Sequence, residues 1–170
     1  MIIGDGSLRN IKHLKSSILY PDSNNWFKVA RKDAMLQDLI DTVYYFVNRI
    51  HKSLNMVVLQ ITKSHMENGC SEVTKQELTK LVADLDNKGI SLILLGPIPY
   101  PDLTDEGFSR AFQITKWLST TLKSHTNNTV FISNWDLQSS KNFTDNGSKL
   151  NYIGYKIIER KINDQMTARD

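Results

Sequence analysis

Few side chains in this 170-residue sequence sit in a pattern that could do chemistry. Histidine is the usual general base near neutral pH. The four present, His13, His51, His65 and His125, are scattered and lack a partnered motif, so each reads as a surface histidine. His65 is the most suggestive, because it follows a strand end. Near the C-terminus Lys156, Arg160 and Lys161 could contact backbone phosphates, or could complement the dipole of their own helix. Trp135 follows the last expected strand and could stack on a base. Trp26, Trp117, Tyr44, Tyr45 and Phe46 read as core.

Composition narrows the class. With 40% apolar and 23% charged residues, the chain is an ordinary globular domain able to bury a core without disulfides or metals. Cys70 is the single cysteine, so no disulfide can form within the chain, which favours a reducing compartment. No apolar run approaches the length of a membrane helix. The opening Met1–Asp5 lacks the features of a signal peptide, so a cytoplasmic location is expected. Sequons at Asn127, Asn142 and Asn146 are explained by chance in a chain rich in Asn, Ser and Thr. No cofactor, metal or membrane partner is expected. Net charge is +3, unevenly spread: residues 1–65 hold nine Lys/Arg against five Asp/Glu. That asymmetry suits an anionic partner, and solvated helix faces also produce it.

The elements that must position these residues alternate. Ile2-Ile3, Trp26–Ala30, Met56–Ile61, Ile90–Leu95 and Thr129–Ile132 read as strands. The continuous apolar runs Met56–Ile61 and Ile90–Leu95 predict central strands buried on both faces. Helices are expected over Leu8–Ser17, over Ala34–His51, from after Ser71–Thr74 to Lys88 (stopped by Gly89), over about Asp105–Lys123 (capped by Thr104) and over Tyr152–Ile162. Ser139–Ser148 reads as a polar loop. Such alternation implies right-handed βαβ units around a parallel sheet, with any ligand site beyond the carboxyl ends of the strands.

At those ends lie four segments that carry a resemblance. Ile2-Ile3-Gly4-Asp5-Gly6-Ser7-Leu8-Arg9 resembles the opening block of the GDSL (SGNH) hydrolases. Val57–Ser64 is similar to their third block, and Leu94-Leu95-Gly96-Pro97-Ile98-Pro99 to the strand and turn that follow. Asn146-Gly147-Ser148-Lys149-Leu150-Asn151-Tyr152-Ile153-Gly154-Tyr155 resembles the closing block. The resemblance covers nearly the whole chain. It implies one domain over residues 1–170, a three-layer α/β/α sandwich that is SGNH-hydrolase-like and flavodoxin-like. A start one residue before the first strand implies a fragment of a longer protein.

Hydrolysis of this type needs a serine, a histidine base, an orienting carboxylate and an oxyanion hole. In the resemblance, Gly6 stands at the nucleophile, about Asp33 at the oxyanion glycine, and Lys63 at the asparagine donor. Asn146 stands at the carboxylate and Lys149 at the base. Ser7 could serve if Gly6 is an insertion, and Asp145 neighbours the carboxylate position. The expectation is therefore a degenerate site and a chain that is not an enzyme.

Lys63 and Lys149 at the former pocket, with Arg31 and Lys32 at the next strand end, suit phosphate oxygens. Among degenerate members the chain resembles the C-terminal domain of the Oskar germ-plasm proteins. That resemblance implies binding of mRNA in cytoplasmic germ granules, alongside protein partners of such a granule. The expected contacts are Lys28, Arg31, Lys32, Lys63, Lys149, Lys156, Arg160 and Lys161, dominated by the RNA backbone. The alternatives are a protein-interaction scaffold and a residual esterase using Ser7 with a distant base such as His65.

Overall fold

The computed structural model describes residues 1–4, 28–30, 33–50, 54–121 and 128–168. The expected helix Leu8–Ser17, and Trp26, lie outside the described residues. Strands β1 (Ile2–Gly4), β2 (Lys28–Ala30), β3 (Met56–Gln60), β4 (Ser91–Leu95) and β5 (Thr129–Ile132) form one parallel sheet ordered β2-β1-β3-β4-β5. Between them run helices α1 (Leu36–Ile50), α2 (Lys63–Asn68), α3 (Ser71–Asn87) and α4 (Asp105–Thr121), with α5 (Tyr152–Thr167) closing the chain. The two longest apolar runs are interior strands, as continuous burial demands. Strand order reverses between β1 and β3, the kind of position at which open parallel sheets take their ligands.

Alternation along the interior strands divides the core. Val57, Leu59, Leu92 and Leu94 face a cluster with Leu39 and Val43 of α1, Leu78 and Leu81 of α3, and Ile114 and Leu118 of α4. Ile2, Val58, Ile93 and Leu95 face the opposite cluster, which Ile158, Ile162 and Met166 of α5 cover. Two faces buried at once explain why the strands read as unbroken apolar runs.

The local signals act as expected at α3 and α4. Gly89 takes φ +66° after α3, and its N–H donates to the Asp86 carbonyl. Thr104 caps α4, its Oγ1 accepting from Gly107 N at 3.1 Å. Helix α2 has only six residues, too few for a periodic pattern to announce it. Tyr45 departs from its expected core role. It is 51% exposed on α1, beneath the Arg49 guanidinium at 4.3 Å from the ring centroid.

Candidate active site at the carboxyl ends of the strands

The turn after β2 is held from the β3 side. Thr62 Oγ1 donates to the Ala34 carbonyl at 2.6 Å and accepts from His65 N, which starts α2. His65 Nδ1 accepts a long bond from Leu36 N at 3.4 Å, and Nε2 meets Thr74 Oγ1 at 2.5 Å. Thr74 in turn donates to the Cys70 carbonyl. A ring that accepts at Nδ1 and donates at Nε2 is neutral. Burial, with the Arg110 charge adding to it, holds its pKa down to about 4. His65 is therefore a core histidine, 4% exposed, and neither a surface residue nor a base open to solvent. Sequence alone missed this because the partners Leu36 and Thr74 are distant in the chain.

The clamp fixes an uncommon backbone. Asp33 has φ 57°, the left-handed region that favours glycine. This is the position the resemblance gives to the oxyanion glycine. An aspartate here takes a backbone conformation that glycine favours. Asp33→Gly should fold with unchanged or higher stability, whereas Asp33→Val should lose about 1–2 kcal/mol in urea titrations, because a β-branched side chain resists positive φ.

On the other side, the expected loop after β5 is more ordered than its polar composition suggests. It forms short 3-10 turns at Trp135–Gln138 and Ser140–Asn142, buries Asn142 and Phe143, and bridges Phe143 to Leu150. Asn151 ties this loop to α5. Its Oδ1 accepts from Ile153 N and Gly154 N, and its Nδ2 donates to the Lys141 and Phe143 carbonyls. Gly154 lets the helix approach: a Cβ there would sit 2.5 Å from the Asn142 carbonyl oxygen and 2.7 Å from Leu150 Cδ2. The Asn and Gly of the closing block thus have a structural cause. Asn151→Ala should cost about 2 kcal/mol in thermal or urea unfolding, since a cap and two further bonds are lost together.

A cleft of about 620 Å³ opens between this loop and the turn after β4, lined by Asp102, Lys141, Phe143, Asp145 and Asn146 among others. Lys63 borders it, paired to Asp102 at 2.5 Å and lying over the Tyr100 ring. Asn146 uses its Oδ1 to accept from Thr144 Oγ1, Ser148 N and Ser148 Oγ, a turn-forming role. Lys149 is exposed on the same loop.

Ion pairs engage three of the expected phosphate contacts. Lys63 holds Asp102, Lys156 holds Glu159 at 2.6 Å, and Lys161 holds Asp136 and the Ser133 carbonyl. Lys149 and Arg160 remain exposed. Gly6, Ser7, Arg31, Lys32 and the Lys28 side chain lie outside the described residues, as do His13, His51 and His125. Trp135 is partly buried against Phe108 and Phe112, at 5.2 and 5.5 Å between centroids. Among the described residues no group of acidic, His or Cys side chains could hold a metal ion, and no helix is long and apolar enough to cross a membrane.

No protein-family model and no curated protein sequence matches this chain. Solved structures do. A lipolytic protein of the G-D-S-L family from Desulfitobacterium hafniense is similar over 96% of both chains, with a TM-score of 0.64 and 15% identity. The esterase domain of the ZfL2-1 ORF1 protein, from the zebrafish ZfL2-1 retrotransposon, is similar over 98% of this chain and 97% of that one, with a TM-score of 0.52 and 21% identity. The fold is that of the GDSL/SGNH hydrolases. The expectation that the chain is not an enzyme is corrected by these neighbours, which are lipolytic and esterase proteins.

Proposed function

We propose that this domain, sharing its fold with lipolytic and esterase proteins, hydrolyses an ester at the carboxyl ends of its strands. The observation that carries the reading is the left-handed Asp33, which keeps the backbone of an oxyanion-hole glycine under a changed side chain. Ser7 is the nucleophile, directly beyond β1. Its Oγ adds to the ester carbonyl carbon while its proton passes to solvent, and the Lys149 ammonium stands at the base position of the resemblance. The Asp33 N–H donates to the oxyanion. Collapse expels the alcohol, protonated by Lys149, and water then cleaves the acyl-serine by the reverse proton path. The test is turnover of p-nitrophenyl acetate by the parent and by Ser7→Ala. Equal rates for the two would end this reading.

A second reading, RNA binding, is favoured by the exposed Lys149 and Arg160. It would place the domain, like the Oskar-type domains it resembles, on mRNA in a cytoplasmic germ granule, and it leaves room for protein partners there. Binding through phosphates falls with salt as counterions are released. Labelled single-stranded RNA should then bind with a log K against log salt slope that shrinks by about 0.7 for each of Lys149→Ala and Arg160→Ala. Slopes unchanged by both substitutions would remove the described cations from consideration.

A further inference from the structure

Helix α4 turns two phenylalanine rings away from the core. Phe108 is 41% exposed and Phe112 is 50% exposed, and their spacing puts them one turn apart on the same face. Single exposed apolar side chains are ordinary. Here Trp135 packs against both rings, which joins three aromatic side chains into one patch. That packing holds the rings in place before a partner arrives, so less side-chain freedom is lost on binding.

The rest of the face fits one particular partner. Asp105, Glu106, Ser109 and Lys116 are exposed on α4 with the rings, the two acids in its first turn and Lys116 toward its end. Among the described residues none of these three charged groups makes an ion pair. Lay a second copy of α4 antiparallel across this face, about a two-fold axis near Ser109. Phe108 of each copy then meets Phe112 of the other, and the acidic first turn of each lies beside the other's Lys116. Ser109, between the rings in sequence, is small enough to let the second helix come close. A surface that complements its own two-fold image is what an isologous dimer requires. A uniformly acidic or basic partner would be repelled at one end of the stripe.

The neighbouring sheet edge fits the same arrangement. Trp135 follows β5, so the patch lies on that side of the sheet. Among the described strands β5 pairs with β4 alone, and Thr129–Ile132 holds neither a charge nor a proline to discourage a neighbour. A second copy against α4 would shield that edge as well.

We propose that two copies of this chain associate antiparallel along α4, with Phe108, Phe112 and Trp135 at the centre and Asp105, Glu106 and Lys116 closing both ends. Association does not depend on the ligand or substrate that the strand ends take.

Sedimentation velocity of the full chain tests it. The parent should pass from monomer to dimer as concentration rises through the micromolar range, which suits a contact at the small end of protein interfaces. Phe112→Glu should raise the dimer dissociation constant at least about 30-fold, the loss expected of a central aromatic anchor. Two further variants leave the rings untouched. Lys116→Glu sets like charges against each other at both ends, and so does Asp105→Lys combined with Glu106→Lys. Each should dimerise at least about tenfold more weakly by itself. All of these side chains are exposed, so the variants keep the fold. Mixing the two charge variants should restore association to the parent's strength, because opposite charges meet again at both ends of the mixed pair. A parent that stays monomeric throughout the range overturns the proposal. So does a dimer that Phe112→Glu leaves intact, or a mixture of the charge variants no tighter than either alone.

Discussion

Replacing Ser7 with alanine is expected to lower ester turnover by ~100-fold or more, to the level of solution hydrolysis. The effect is large because Gly6, the residue before it in sequence, has no side chain that could attack in its place. The Asp33 amide can stabilise an oxyanion only after something has attacked. Lys149→Met provides the companion result, with a loss of about 100-fold, the worth of a general acid. That one variant also separates the two functional readings. A hydrolase loses turnover with it, whereas an RNA-binding surface keeps whatever turnover exists and loses about 0.7 from its salt slope. Turnover by Ser7→Ala equal to the parent would show that the ester is cleaved elsewhere or not by this protein.

Acid should destabilise the fold in a narrow window set by His65. Its imidazole stays neutral in the folded chain down to about pH 4, while an unfolded histidine takes its proton near 6.5. Between those values the unfolded state binds the extra proton, so stability is complete above about pH 6.5 and falls as pH drops toward 4. The linked loss is roughly 3 kcal/mol, read as a falling urea midpoint across that range. His65→Ala should remove this part of the pH dependence. At pH 7 it should cost about 2–4 kcal/mol, because the Leu36 N–H and Thr74 Oγ1 lose their partner and a cavity opens. The Asp33 turn relies on the same clamp, so turnover should fall with stability. An unchanged acid slope in His65→Ala would assign it to the carboxylates instead.

Much of this molecule is legible in one dimension. Met56–Gln60 and Ser91–Leu95 are apolar throughout because helices cover both faces of their sheet, and that demand leaves a mark in consecutive residues. Gly89 and Thr104 mark helix ends for equally local reasons. The blocks at the strand ends were legible too, and their order along the chain identified the fold.

Other properties depend on which distant residues meet. Whether Lys63, Lys156 and Lys161 are available to an anion was decided by Asp102, Glu159 and Asp136, two of them far from their lysines in sequence. The protonation of His65 depends on a packing environment built from α1, α2 and α3, and an isolated His-Met-Glu segment carries no trace of it. The loop from Ser139 to Ser148 reads as solvent-exposed because its residues are polar. In the fold Asn142 and Phe143 turn inward, since Asn151 and Gly154 bring α5 against them. Asp33 shows the division most clearly. Residue type gave no sign of its backbone conformation, and its φ of 57° belongs to a turn that Thr62 and His65 hold from another strand end. Backbone conformation under tertiary restraint is invisible to a reading of side-chain types.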